Sequence, residues 1–256
     1  LYKSIYDTLI IGKKVIYLPT CHSTNDIAAE LVRSGASMEG AIVITDDQTK
    51  GRGQRGTTWV TQQGMNLTMS VVLRPAFLPI SEQFLISQAM ALGILAYLRF
   101  YFDKVKIKWP NDIYVGEKKI GGILIENLIQ GTVLSSSVVG IGLNINQIGF
   151  EYARATSLAD SAGHSFVLNE EFSKLVHHLD AWYLKLKSSQ YNEAIRDAYL
   201  NNLLGYKTSR LFRYQDENLT GTVTGVTKQG RICIKFDKFD ETRELDLKEV
   251  AWIWNA

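Results

Sequence analysis

Gln48-Thr49-Lys50-Gly51-Arg52-Gly53-Gln54-Arg55-Gly56-Thr57-Thr58-Trp59 gathers three glycines, three cations and a tryptophan into one short stretch. Glycine adopts backbone shapes that other residues resist and lets a ligand approach the main chain. Arginine and lysine supply charge and donors for carboxylate or phosphate. The stretch reads as a flexible cationic flap over an anionic ligand. Taken alone, it reads more readily as a solvated basic loop, so its flanks decide. Gly51-x-Gly53-x-x-Gly56 matches the dinucleotide fingerprint, which needs a strand directly before it and a helix directly after it. A β-forming run at 41–45 precedes it, but Asp46 to Lys50 intervene. Thr57 to Thr61 and then 67–73 follow, and both are β-forming rather than helix-opening. That excludes a doubly wound dinucleotide fold. The kinase motif set and the Walker Gly-Lys-Ser/Thr ending are absent too.

Outward from the flap, the chain's 256 residues suffice for one or two domains with a sizeable core. Its 46% hydrophobic content argues against disorder, and a net charge of +2 argues against nucleic acid as a partner. Cys21 and Cys233 are isolated, so neither zinc spacing nor a disulfide framework exists, and no metal ligand set is apparent. The first 17 residues lack a signal-peptide core, and the apolar run at 89–98 is too short to span a bilayer. A soluble cytoplasmic protein without a membrane partner is expected.

Residues 15–18 read as a strand closed by Pro19. Ser23-Thr24-Asn25 then opens a helix, with Ser23 or Thr24 as N-cap and Gly35 as its stop. A helix N-terminus also offers free N–H groups to a polar ligand. His22 has no evident partner and reads as structural. Residues 81–100 form a helix buried on more than one face. Residues 105–109 lead through Pro110-Asn111-Asp112 into a hairpin over 113–127, and 133–143 closes the sheet. Gly140 and Gly142 mark places where a ligand can meet the backbone. Asn169 caps a helix whose buried face carries Phe172, Leu175, Val176, Leu179, Trp182 and Leu186. His177 and His178 point different ways and belong to the surface. A second helix spans 193–204. Beyond Gly205, five short strands at 207–213, 219–227, 231–236, 242–247 and 250–254 form a small β-barrel or sandwich. The expected division is therefore 1–204 and 205–256.

Lys108-Trp109-Pro110-Asn111-Asp112 followed by Lys119-Ile120-Gly121-Gly122 is the second unusual stretch. Taken singly, Lys119 is a hairpin lysine and Asn111-Asp112 a turn. In order with Ser23-Thr24-Asn25, Gln48-x-x-Gly51-Arg52-Gly53, Trp59, Gly140-x-Gly142-x-Asn144 and Ala155-Thr156-Ser157-Leu158, the set resembles the biotin–protein ligases, also called biotin–[acetyl-CoA-carboxylase] ligases. The match covers the first two-thirds of the chain. The resemblance implies an α+β fold. Its catalytic domain is a mixed sheet with helices, related to class II aminoacyl-tRNA synthetases, and a small SH3-like β-barrel follows.

It also implies a two-step reaction. Biotin and ATP give biotinyl-5′-AMP, which then acylates one lysine of a biotin carboxyl carrier domain. Bringing a carboxylate to a phosphate at ~4 Å costs about 4 kcal/mol at an effective dielectric of about 20, so a cationic clamp is needed. By resemblance Lys119 and Arg52 are catalytic. Ser23, Thr24, Asn25, Gln48, Gly51, Arg52, Gly53, Gln54, Lys119, Gly121 and Gly122 hold biotin. Arg55, Trp59, Asn111, Lys119 and Asn144 hold ATP, with Mg²⁺ on its phosphates. Gln54 and Thr57 stand where some members carry arginine. Only a short lead precedes Ser23, too short for the DNA-binding helix-turn-helix of some members, so a monofunctional ligase is expected. A lipoate ligase would carry Arg-Arg-x-Ser-Gly-Gly-Gly, which is absent. A non-catalytic biotin-binding regulator would lack Lys119 or add a DNA-binding unit.

Overall fold

Apolar alternation builds a sheet whose two faces are covered differently. In the computed structural model, residues 2–254 are described, apart from the Arg55 side chain. In chain order the elements are β1 (Val15–Cys21), α1 (Thr24–Arg33), β2 (Ile42–Gln48), β3 (Leu67–Leu73), α2 (Phe84–Leu98), β4 (Val105–Lys108), β5 (Asp112–Val115), β6 (Lys118–Gln130) and β7 (Val133–Leu143). Then come α3 (Leu158–Ala162), α4 (Leu168–Leu186), α5 (Asn192–Asn202), β8 (Ser209–Tyr214), β9 (Glu217–Val226), β10 (Ile232–Phe236), β11 (Thr242–Leu245) and β12 (Val250–Trp252). Among the described residues the larger sheet runs β1-β2-β3-β7-β6-β5-β4. β1 and β2 are parallel and the other pairs antiparallel, a mixed sheet.

One face carries Ile42, Ile44, Leu67, Met69, Val139 and Ile141 into a core shared with α2 and α4. Each such side chain contributes about 1.5–3 kcal/mol when fully buried. α2 is buried at nearly every position, so it has no polar stripe, as its sequence foretold. A Cβ at Gly93 would lie 3.1 Å from Leu179 Cδ2, so the absent side chain sets how closely α2 crosses α4. The other face carries Val43, Val72 and Val138 against Ala28 of α1. Beyond the N-terminus of α1 this second face stays open, and the site forms there.

Local expectations shift in several places. β1 runs through Pro19, because it is an edge strand and its other residues pair with β2 on both sides of the proline. Residues 57–61 form no strand; one bridge, Arg52 to Thr58, joins the two sides of the flap. Ser23 occupies the N-cap position of α1, but its side chain makes no cap bond. α4 starts after Val167, leaving Asn169 inside the first turn, and its buried face uses Tyr183 where the pattern suggested Trp182. α3 was not anticipated; Ser157 Oγ caps it by accepting from Asp160 N–H at 3.0 Å.

The C-terminal strands form an antiparallel sheet of order β11-β10-β9-β8-β12. It seats against the larger sheet through Trp109, whose indole N–H donates to the Gly230 carbonyl at 2.8 Å. Trp254 stacks on Tyr114 with ring centres 5.3 Å apart. Among the described residues, no helix is long and apolar enough to cross a membrane.

Candidate active site

The open face gathers the unusual residues around one cavity of about 550 Å³, within the usual range of roughly 300–1,000 Å³ for small-molecule sites. Its polar end lies at the start of α1. Gln48 closes β2 opposite Cys21 of β1, which brings it under the helix N-terminus. Gln48 Oε1 accepts from Thr24 N–H at 2.9 Å and from Thr24 Oγ1 at 3.3 Å. Ser70 of β3 bonds both Thr24 Oγ1 at 2.8 Å and Asn25 Oδ1 at 2.6 Å. Asn25 Nδ2 donates to Glu126 Oε2 at 2.7 Å and to the Leu124 carbonyl at 3.3 Å. A Cβ at Gly140 would fall 2.4 Å from Asn25 Oδ1. The glycine therefore makes room for the protein's own amide rather than for a ligand.

The charged end is built by the β4–β5–β6 meander. Lys119 Nζ bonds Asp112 Oδ1 at 2.6 Å, and Lys108 Nζ lies 3.9 Å from Asp112 Oδ2. Burial pulls the Lys108 ammonium below its ordinary value, Asp112 opposes that, and the neighbouring Lys119 adds to it. Two cations share one carboxylate, so the cluster keeps a positive balance for an anion. Gly122 lies beside Lys119, where a Cβ would make ordinary contact with its Nζ at 3.5 Å. The Lys119 backbone is clamped by Arg154 and Thr156 at 2.7 and 2.9 Å. The Ala155-Thr156-Ser157-Leu158 stretch thus serves to fix the lysine.

Over the cavity, the flap is a small hairpin. Gly53 N–H donates to the Thr57 carbonyl at 2.7 Å and Trp59 N–H to the Gly51 carbonyl at 3.1 Å. A Cβ at Gly51 would meet the Trp59 carbonyl at 2.1 Å, so this glycine is required by close approach of backbone. Trp59 drops into the cavity over Gly142, where a Cβ would lie 2.3 Å from the ring, and within 5.4 Å of Lys119 Nζ. Its indole N–H is buried and finds no hydrogen-bond partner among the described residues. Arg52 lines the cavity mouth, yet it bonds Glu126 through both terminal nitrogens, at 3.0 and 2.9 Å, and Asp26 at 2.6 Å. The charge of Arg52 in the cationic flap is thus answered by two carboxylates. His22 also has a partner, Asp26, at 3.6 Å.

Ser23, Thr24, Asn25, Gln48, Arg52, Gly53, Gln54, Trp59, Asn111, Lys119 and Gly122 all line the cavity. Gly51, Gly121 and Asn144 do not. Gly121 faces the core, where a Cβ would meet Leu143 Cδ1 at 2.9 Å. Asn144 is buried, and its amide holds the Thr156 carbonyl at 3.0 Å. Asn111 donates to the Ile123 carbonyl at 2.5 Å. The Arg55 side chain lies outside the described residues. Thr68, Met69, Leu124, Ile141, Tyr152 and Leu247 line the cavity without having been singled out. Thr68 and Leu124 follow from strand register, whereas Met69 and Ile141 belong to the core face and border the cavity from beneath. Leu247 arrives from the C-terminal part of the chain, and no local pattern announces it.

A mixed sheet with a glycine flap, a buried polar cluster and a lysine–aspartate pair around one cavity defines a mixed α/β domain with a site of small-molecule size. Residues 17–144, half of the 256-residue chain, match the model of the "Biotin/lipoate A/B protein ligase family". The chain belongs to that family. It is 36% identical over 165 residues to the "Bifunctional ligase/repressor BirA" of Bacillus subtilis, covering 61% of this chain and 49% of that protein. The chain thus spans about half the length of these Bacillus relatives. It is 28% identical over 217 residues to the "Biotin--[acetyl-CoA-carboxylase] ligase" of Mycobacterium tuberculosis, covering 83% of this chain and 79% of that one. The solved "Biotin protein ligase from Aquifex aeolicus in complex with biotin and ATP" superposes with a TM-score of 0.73 at 24% identity, covering 94% and 100% of the two chains. This likeness shows a shared fold.

Proposed function

We propose that this protein is a biotin–protein ligase. It condenses biotin with ATP to biotinyl-5′-AMP and pyrophosphate, then transfers the biotinyl group to one lysine of a biotin carboxyl carrier domain. The observation that carries this reading is the position of Lys119. It stands in the cavity beside Gly122 and Asp112, while a hydrogen-bonding cluster occupies the opposite end. A ligand with a ureido ring, an apolar body and a carboxylate tail matches that polarity order. Ser23, Thr24 and Gln48 take the ureido end, and Leu124 with Gly122 flanks the apolar body. Lys119 meets the carboxylate where it approaches the α-phosphate. The ammonium offsets the repulsion between the two anions and stabilises charge at phosphorus. Biotin's carboxylate oxygen forms the new P–O bond and pyrophosphate leaves. The carrier amine later attacks the acyl carbon, loses a proton, and AMP leaves.

Trp59 turns toward the adenine, and its unpartnered N–H gains an acceptor in that move. Asn111 and Asn144 support the nucleotide end through the backbone carbonyls that they hold, and Arg55 extends the clamp. Mg²⁺, when bound, would neutralise charge on the triphosphate. Asp112 is the carboxylate among the described lining residues and would hold such a cation together with the substrate phosphates once these draw Lys119 and Lys108 from it. We read residues 1–204 as the catalytic domain, of the class II aminoacyl-tRNA synthetase type, and 205–256 as an SH3-like barrel, in a cytoplasmic enzyme. The test is mass spectrometry of an apo carrier domain incubated with the protein, biotin, ATP and Mg²⁺. One lysine gains one biotinyl group. No gain, or a lipoyl gain when both acids are offered, overturns the reading.

A further inference from the structure

Glu126 has no part in the chemistry just described, yet it joins two pieces of the site. Its oxygens hold the Arg52 guanidinium as a fork, and Oε2 also accepts from Asn25 at 2.7 Å. Asn25 is 4% exposed and Ser70 0%. From Asn25 the bonds continue through Ser70 to Thr24, and from Thr24 to Gln48. Gln48 and Arg52 are the root and the arm of the same flap. The side chains therefore close a ring that runs beneath the cavity and returns to the loop it started from. A solvated ion pair has no need of a buried amide behind it. With Asp26 on its other side, Arg52 is enclosed by two carboxylates, so the trio carries a net negative charge. That is a poor receptor for a carboxylate or a phosphate but a good fastening.

We propose that Glu126 is a positioning residue that, with Asp26, bolts Arg52 across the cavity mouth and keeps the flap closed. The Asn25–Ser70–Thr24 relay ties that bolt to whatever occupies the polar end at Gln48. Arg52 acts here by retention of the bound intermediate rather than by neutralising phosphate. The link to adenylate rests on the ligase reading; the bolt itself does not.

Limited trypsin digestion of the full ligand-free chain tests the bolt directly, by following cleavage after Lys50. Glu126→Gln keeps an acceptor for Asn25 and removes the charge. It should speed cleavage about three- to tenfold, as expected for loss of a charge-assisted, partly exposed pair. Asp26→Asn should act in the same direction, and unchanged thermal midpoints would show that the fold is intact. Arg52→Gly combined with Glu126→Gln should be no faster than Arg52→Gly alone, because both remove one interaction. Exchanging the charges, Arg52→Glu with Glu126→Arg in an Asp26→Asn background, should slow cleavage relative to Arg52→Glu alone in that background. A second readout uses labelled biotin and ATP: Glu126→Gln should release labelled adenylate faster, in the same direction as Arg52→Gly but by a smaller factor, because Asp26 still holds Arg52. Unchanged cleavage in both single variants, or additive effects in the double variant, overturns the proposal. Faster cleavage in a protein that forms no adenylate keeps the bolt and refutes the ligase reading.

Discussion

At the residue scale, Lys119 and two glycines of β7 carry the sharpest consequences. Lys119→Met should lower adenylate formation by at least ~10²-fold, which corresponds to several kcal/mol of lost charge stabilisation. The fold should persist, because Asp112 keeps Lys108 at 3.9 Å. Pre-steady-state measurement of the first half-reaction checks this, and a near-normal rate would remove Lys119 from the chemistry. Gly140→Ala and Gly142→Ala should differ in kind. The first drives a methyl into Asn25, whose amide is locked between Ser70 and Glu126. It should cost about 1–3 kcal/mol of stability, as overpacking does. The second meets the Trp59 ring, which sits on the flap and can lift. It should spare the melting temperature and raise the KM for ATP. Equal thermal shifts in the two variants would contradict this account of the floor.

Among the elements, α4 anchors both the N-terminal lead and the core. Asp180 accepts backbone N–H bonds from Leu9, Ile10 and Ile11 at 2.8, 2.9 and 2.7 Å. Hydrogen bonds to a charged group contribute about 1.5–3 kcal/mol, so Asp180→Ala should cost at least ~2 kcal/mol in urea unfolding. Glu171 is buried on the same helix and accepts from Tyr97, Tyr101 and Lys174 at 2.6, 2.5 and 2.8 Å. Burial pushes its carboxyl up, but the hydrogen bonds from Lys174 and the two tyrosines bring it below the ordinary 4.5. The unfolded chain then holds the proton more tightly than the folded one. The stabilisation is complete above the unfolded value and is lost as pH falls through the lower folded value. Glu171→Gln should flatten that part of the acid limb, read by urea unfolding between neutral and acidic pH. An unchanged acid limb would show that the carboxylate gives no such linkage.

Over the whole molecule, the order of elements and the composition of the cavity were legible from residues, while facing and long-range closure were not. The apolar run of α2 announced a fully buried helix, and the turn signals after Gly205 announced five strands. Lys119, Gln48 and Thr24 came together as their motifs implied. Gly121 and Gly122 looked equivalent. Neighbours in a strand face opposite sides, however, so Gly121 turns to the core, while the β5–β6 register shift between Lys119 and Gly121 brings Lys119 and Gly122 to the same face. The flap glycines read as freedom, yet at Gly51 and Gly53 they permit a tight hairpin. Glu126, Ser70 and Leu247 were passed over because their partners lie far away in sequence, as in the Arg52–Glu126 pair. No local period encodes such closure.

The central claim is that this cavity joins a carboxylate shaped like biotin to ATP. Exchange of labelled pyrophosphate into ATP measures that step alone, without a carrier protein. Purified protein with ATP and Mg²⁺ should show exchange that depends on biotin, that lipoate does not replace, and that Lys119→Met abolishes. Exchange that is absent with biotin, or equal with lipoate, would contradict the account.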